Sequence, residues 1–243
     1  RTANDRECSG ELRFRVDDRH SQGPFSFAFG DSGYSWVDIP ATAFASDSAR
    51  QKDSSAGAAA VATSTITGSG PVVANGVATS TVTVTLLDAN SNPVSGETPT
   101  FSTTGTNNSQ TACGSTNASG VTTCTLASTT AETKTLSITA PISKTGGTVV
   151  FEAGSPIAAN SSITGTTPVV ADDTATSTIT ITLRDASNNP VAGLTPTFTT
   201  SGTGNTQTAC SATDASGAST CTLKSTKAEI KTLAIATPVV KTG

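Results

Sequence analysis

Residues 79–96 read Thr-Ser-Thr-Val-Thr-Val-Thr-Leu-Leu-Asp-Ala-Asn-Ser-Asn-Pro-Val-Ser-Gly, and residues 176–193 read Thr-Ser-Thr-Ile-Thr-Ile-Thr-Leu-Arg-Asp-Ala-Ser-Asn-Asn-Pro-Val-Ala-Gly. Val82, Val84 and Leu86 alternate with Thr81, Thr83 and Thr85, and Ile179, Ile181 and Leu183 alternate with Thr178, Thr180 and Thr182. A period of two with β-branched residues predicts a strand with one buried face and one threonine face toward water. The Asp-Ala-x-x-Asn-Pro run that follows each strand supplies turn chemistry, because Asx side chains bond their own backbone and proline fixes φ.

Working outward, the two runs are parts of one repeat. Pro71-Val72-Val73-Ala74 recurs as Pro168-Val169-Val170-Ala171 at an offset of 97, which also carries Phe101 to Phe198, Cys113 to Cys210, Gly120 to Gly217 and Cys124 to Cys221. The match needs no gap, so residues 57–153 and 154–243 are two copies of a module, preceded by residues 1–56. Further β-rich runs are predicted at Thr98–Thr103, Gln110–Ser115, Val121–Ser128, Thr135–Thr139 and Thr148–Glu152. About seven short strands with turn signals every 8–12 residues describe an immunoglobulin-like sandwich. The expected fold class is all-β: tandem Ig-like β-sandwiches preceded by a small aromatic-rich β segment.

The stretch Ala78–Gly96, together with Thr116-Asn117-Ala118-Ser119-Gly120 and its counterpart Thr213-Asp214-Ala215-Ser216-Gly217, resembles the bacterial Ig-like domain (group 1) of the invasin and intimin type. The resemblance covers residues 57–243, with its motifs in order and present twice. It implies tandem extracellular domains that build stalks, spacers or adhesive fibres on a bacterial surface, and it does not imply an enzyme.

Composition narrows the function classes. The 243 residues carry a net charge of −4, 13% charged residues, no Met and one histidine, His20. Such a chain lacks the clustered Lys and Arg that phosphate backbones require, so no nucleic-acid partner is expected. One histidine is little material for acid–base catalysis or zinc binding. Asp17-Asp18-Arg19-His20 is the one dense candidate for a catalytic group and reads instead as a solvated turn. No apolar run approaches the ~18 residues of a membrane helix. No catalytic residue, metal site or cofactor is expected. The Asp88-x-Asn90-x-Asn92 series begins like a calcium loop, but Pro93 stands where such loops need glycine, so it reads as a capped turn.

Cys113 and Cys124 face each other if the hairpin tip is Ala118-Ser119, and the same register pairs Cys210 with Cys221. Strand parity places Cys124 on the face of Leu126, so the bridge should point inward. Disulfides imply an oxidising, extracytoplasmic location.

The first 56 residues break the offset. Phe14, Phe25, Phe27, Phe29, Tyr34, Trp36 and Phe44 concentrate most of the aromatic residues of the chain there. Leu12, Phe14 and Val16 alternate, as do Phe25, Phe27 and Phe29, so two strands are expected, with Tyr34–Ile39 a candidate third. About fifty residues seldom bury enough surface to stand alone. The sequence begins at Arg1 rather than Met, which reads as a processed chain or a fragment, and the second copy stops at the counterpart of Gly146. It therefore lacks the counterpart of the last strand of the first copy, and two readings stand level: the array continues beyond Gly243, or the sandwich exposes a groove that a strand of another chain fills. Candidate intersubunit contacts are Cys8, Phe14, Phe25, Phe27, Phe29 and Trp36, in a homopolymer or against neighbouring repeats. A host receptor or glycan bound by the aromatic segment, or a virion decoration role, is the competing reading.

Overall fold

The computed structural model describes residues 56–243. Cys8, Phe14, Phe25, Phe27, Phe29, Trp36 and the Asp17–His20 group lie outside the described residues. Two sandwiches follow one another. The first is built from β1 (Thr65–Gly68), β2 (Val72–Val73), β3 (Ser80–Thr85), β4 (Thr100–Thr103), β5 (Asn108–Gln110), β6 (Val121–Ser128), β7 (Thr133–Ala140) and β8 (Lys144–Glu152). The second contains β9 (Ser162–Gly165), β10 (Ser177–Thr182), β11 (Thr197–Thr200), β12 (Asn205–Gln207), β13 (Ala218–Ser225), β14 (Leu233–Thr237) and β15 (Lys241–Thr242). No helix occurs among the described residues, so the all-β expectation holds.

In the first sandwich the sheets run β1-β3-β6-β5 and β2-β8-β7-β4; in the second they run β12-β13-β10-β9 and β11-β14-β15. Pairing is antiparallel except where β2 runs parallel to β8. The alternation of β3 sends Val82, Val84 and Leu86 into a core closed by Phe101, Leu136 and Phe151. Ile179, Ile181 and Leu183 do the same in the second sandwich with Phe198, Leu223 and Ile235. The outward threonines pair across strands: Thr100 with Thr139 at 2.7 Å, and Thr208 with Thr222 at 3.1 Å. Such hydroxyl pairs support neighbouring strands and satisfy polar faces locally.

Two expectations are corrected. The Gln110–Ser115 strand is not regular. Regular pairing ends at Gln110, one further backbone bond runs from the Thr111 N–H to the Thr125 carbonyl at 3.1 Å, and beyond it the Thr122 hydroxyl donates to the Gly114 carbonyl at 2.9 Å. A side chain has replaced the ladder beside the disulfide. The last strand begins at Lys144 rather than Thr148. Gly146 and Gly147 permit this: a Cβ on Gly147 would lie 2.5 Å from the Ile66 carbonyl oxygen, and its φ is +20°. Only a glycine lets the backbone of β8 pass so close to β1, and the register shifts there.

Candidate functional site

Three features lie where the sandwiches meet or end. The first is the hairpin that carries each disulfide. Cys113 and Cys124 are bonded with Cα atoms 4.7 Å apart, and Cys210 and Cys221 with Cα atoms 4.4 Å apart. All four half-cystines are buried in the two cores. The turn is tied by the Asn117 side chain, whose Oδ1 accepts from the N–H groups of Ser119 and Val121, and Asp214 does the same for Ser216 and Ala218. Gly120 must be glycine, because its φ is +73° and a Cβ would meet the Leu86 carbonyl oxygen at 2.4 Å.

The second feature is the loop after β3 and after β10. The Asp88 Oδ1 accepts from the N–H groups of Asn90 and Asn92 at 2.8 Å each; Oδ2 accepts from the Asn92 side-chain amide and the Gly57 N–H at 2.9 Å each. These donors, the Asn92 side chain foremost, hold the Asp88 carboxyl well below the usual range. Its lone pairs are taken up by the loop, which is what a capped turn requires. Asp185 repeats the arrangement with Ser187, Asn189 and Gly154. Burial works to raise the Asp185 pKa, but the Asn189 side chain and the surrounding N–H groups outweigh it and keep it low.

A carboxylate with a depressed folded pKa contributes stability above its unfolded pKa, and that stability is lost as pH falls toward the folded value. Both sandwiches are therefore expected to lose thermal stability progressively below about pH 4, the ordinary aspartate range. Asp88→Ala should flatten that acid limb for the first sandwich when melting is followed against pH. An unchanged acid limb would count against this loop.

The Gly154–Asp185 bond also fixes the connection between sandwiches. The last backbone bond of the first sandwich runs from the Ala74 N–H to the Glu152 carbonyl at 2.8 Å, and the first bond of the second runs from the Gly154 N–H to the Asp185 carboxylate at 2.9 Å. Ala153 alone lies between those anchors, and it packs on the second core. A linker this short has almost no slack.

The third feature is the sheet face beside the last strand of each sandwich. In the first, β8 lies between β7 and β2 and buries Val149 and Phe151. The Phe151 ring sits 5.9 Å from the Lys134 ammonium, which donates to Glu132 at 2.6 Å and to the Thr106 carbonyl at 3.1 Å. In the second, β15 pairs with β14 at Ala234–Thr242 and Ile235–Lys241, and the Gly243 N–H donates to the Leu233 carbonyl at 2.9 Å. Beyond it lies a groove of about 520 Å³ lined by Pro168, Val169, Ile179, Leu223, Ile230 and Leu233, among others. Val170 is 67% exposed and Ile230 97% exposed. Lys231 keeps the same two bonds, to Glu229 and the Thr203 carbonyl, with no ring above it among the described residues.

Paired β-sandwiches with intradomain disulfides, joined end to end without a free linker, define a tandem Ig-like repeat protein. The sequence matches the family described as bacterial Ig-like domain (group 1) at residues 62–152 and 160–240, and the chain belongs to that family. Among solved structures it is similar to FdeC, an adhesin of Escherichia coli, at 24% identity over 77% of this chain and 64% of that one, with a TM-score of 0.63. It is also similar to InvD of Yersinia pseudotuberculosis at 30% identity over 75% of this chain and 58% of that one, with a TM-score of 0.56. Invasin, a bacterial integrin-binding protein, is 25% identical over 74% of this chain and 37% of that one, with a TM-score of 0.56. The chain thus spans less than two thirds of each of these proteins. A search of curated proteins finds no match. The chain is homologous to bacterial adhesins with Ig-like domains.

Proposed function

We propose that this chain is part of a bacterial surface adhesin in which the Ig-like repeats act mechanically, as a stiff spacer that holds an adhesive part away from the cell, without catalysis. The observation that carries this reading is the junction, where one residue separates the last bond of one sandwich from the first bond of the next. Disulfide-stapled sandwiches with such a joint resist both stretching and bending. Kinship with adhesins supports the location, and the paired cysteines suit an oxidising compartment. An antibody against the repeats is expected to label intact cells of the producing bacterium. Labelling only after permeabilisation would overturn the proposal.

The finer reading is that spacers join head to tail by strand donation. The groove beside β15 is lined by apolar side chains such as Val169, Ile179, Leu223 and Leu233, and Phe25-Ser26-Phe27-Ala28-Phe29 of another copy offers alternating apolar side chains to fill it. Strand addition satisfies backbone groups along the edge while alternate side chains fill the groove. Because the acceptor and donor are different surfaces, repetition gives an open fibre unless the rotation closes a ring. Sedimentation of the whole chain should show concentration-dependent assemblies that Phe27→Asp dissolves. A monomer at every concentration would overturn strand donation and leave the spacer standing.

A further inference from the structure

We propose that Asn189 is a latch that sets the angle and stiffness of the joint between the repeats, an inference that rests on the spacer reading above. Asn189 belongs to the second sandwich, yet its side-chain amide also bonds the first. Its Oδ1 accepts from the Ala131 N–H at 2.9 Å, and its Nδ2 donates to the Thr129 carbonyl at 3.0 Å and the Ala74 carbonyl at 3.4 Å. The residue is 6% exposed, so water does not substitute for these partners. The amide behaves as an added peptide group that closes the lower end of the first sandwich, where the turns after β2 and β6 come together.

The latch is built before it engages. The Asn189 N–H and Nδ2 are held by the two oxygens of Asp185 at 2.8 and 2.9 Å, and Asp185 simultaneously holds the linker through Gly154. One carboxylate therefore fixes both the covalent connection and the side chain that crosses the joint. Asn92, at the equivalent place in the first sandwich, is exposed and is nonetheless held by Asp88 through the same pair of bonds, at 2.8 and 2.9 Å. The loop thus presents its asparagine without needing a repeat above it, and little ordering cost remains when one docks. Leaving the buried partners of Asn189 without it would strand a donor and two acceptors in the joint.

The test uses the whole oxidised chain with Cys8→Ser, and spin labels at exposed positions in each repeat, Val77→Cys and Ile230→Cys. Pulsed dipolar spectroscopy then reads the distance distribution across the joint. The unmodified loop should give one narrow peak, and Asn189→Ala should lose it to a broad distribution. Asn92→Ala, which removes the same bond to its own aspartate but touches no joint between these two repeats, should keep the narrow peak. Asn189→Asp provides a second variant that keeps size and shape but cannot donate to Ala74 and Thr129, and it should broaden the peak as well. A narrow peak in the Asn189 variants, or equal broadening by Asn92→Ala, overturns the latch while sparing the spacer. A broad distribution before any change at Asn189 overturns the spacer, and the latch with it.

Discussion

Phe151→Ala is expected to lower the stability of the first sandwich by about 3–5 kcal/mol, the range for deleting a buried aromatic side chain. The ring is 2% exposed on the strand that closes the sheet between β7 and β2, so its loss leaves a cavity among packed strands. It also uncovers the ammonium of Lys134, which is fully buried beneath it. Denaturant unfolding of the whole chain should show the transition of the first sandwich moving to lower denaturant, with that of the second held in place. A loss under about 1 kcal/mol would mean that β8 does not close this core in solution.

Removing a disulfide should cost nearly as much. Each bridge joins residues 11 positions apart. Closing so short a loop restricts the unfolded chain by about 3 kcal/mol in the chain-entropy account. Cys113→Ala with Cys124→Ala should weaken the first sandwich by about that amount, and Cys210→Ala with Cys221→Ala the second. Alanine is the substitution of choice because the positions are buried, where a serine hydroxyl would need a partner. The readout is again the pair of unfolding transitions, measured with and without reductant. Insensitivity of both transitions to reductant would show that the bridges do not hold these hairpins.

The parts of this architecture that depend on side-chain period were legible before any coordinates. The threonine–aliphatic alternation gives β3 and β10, and the offset of 97 gives the second sandwich from the first. What escaped is structure carried by backbone. β1 has a single fully buried side chain, Ile66, in four residues, and β5 reads Asn-Ser-Gln, so neither shows a hydrophobic period. The glycines of β8 look like a loop until the nearness of the Ile66 carbonyl explains them.

The latch is hidden for a related reason. Its partners are the carbonyls of Ala74 and Thr129 and the N–H of Ala131, which leave no mark on the identity of those residues. One signal was present. Between the copies, Asp-Ala-Asn-Ser-Asn-Pro becomes Asp-Ala-Ser-Asn-Asn-Pro, so Asn92 and Asn189 persist while the two residues before them change. In both copies this asparagine donates its side-chain amide to the loop aspartate, and in the second copy the same amide also reaches the first sandwich.

Exchange of the repeats tests the proposed spacer role most directly. In the whole protein on its own bacterium, residues 57–243 would be replaced by two bacterial Ig-like repeats with the same stiff joint and an unrelated surface. Adhesion to the native target would then be measured alongside surface display. A mechanical spacer predicts that displayed cells adhere as before, because reach and stiffness are kept. Adhesion lost while display is intact would contradict it and place target recognition in these two sandwiches.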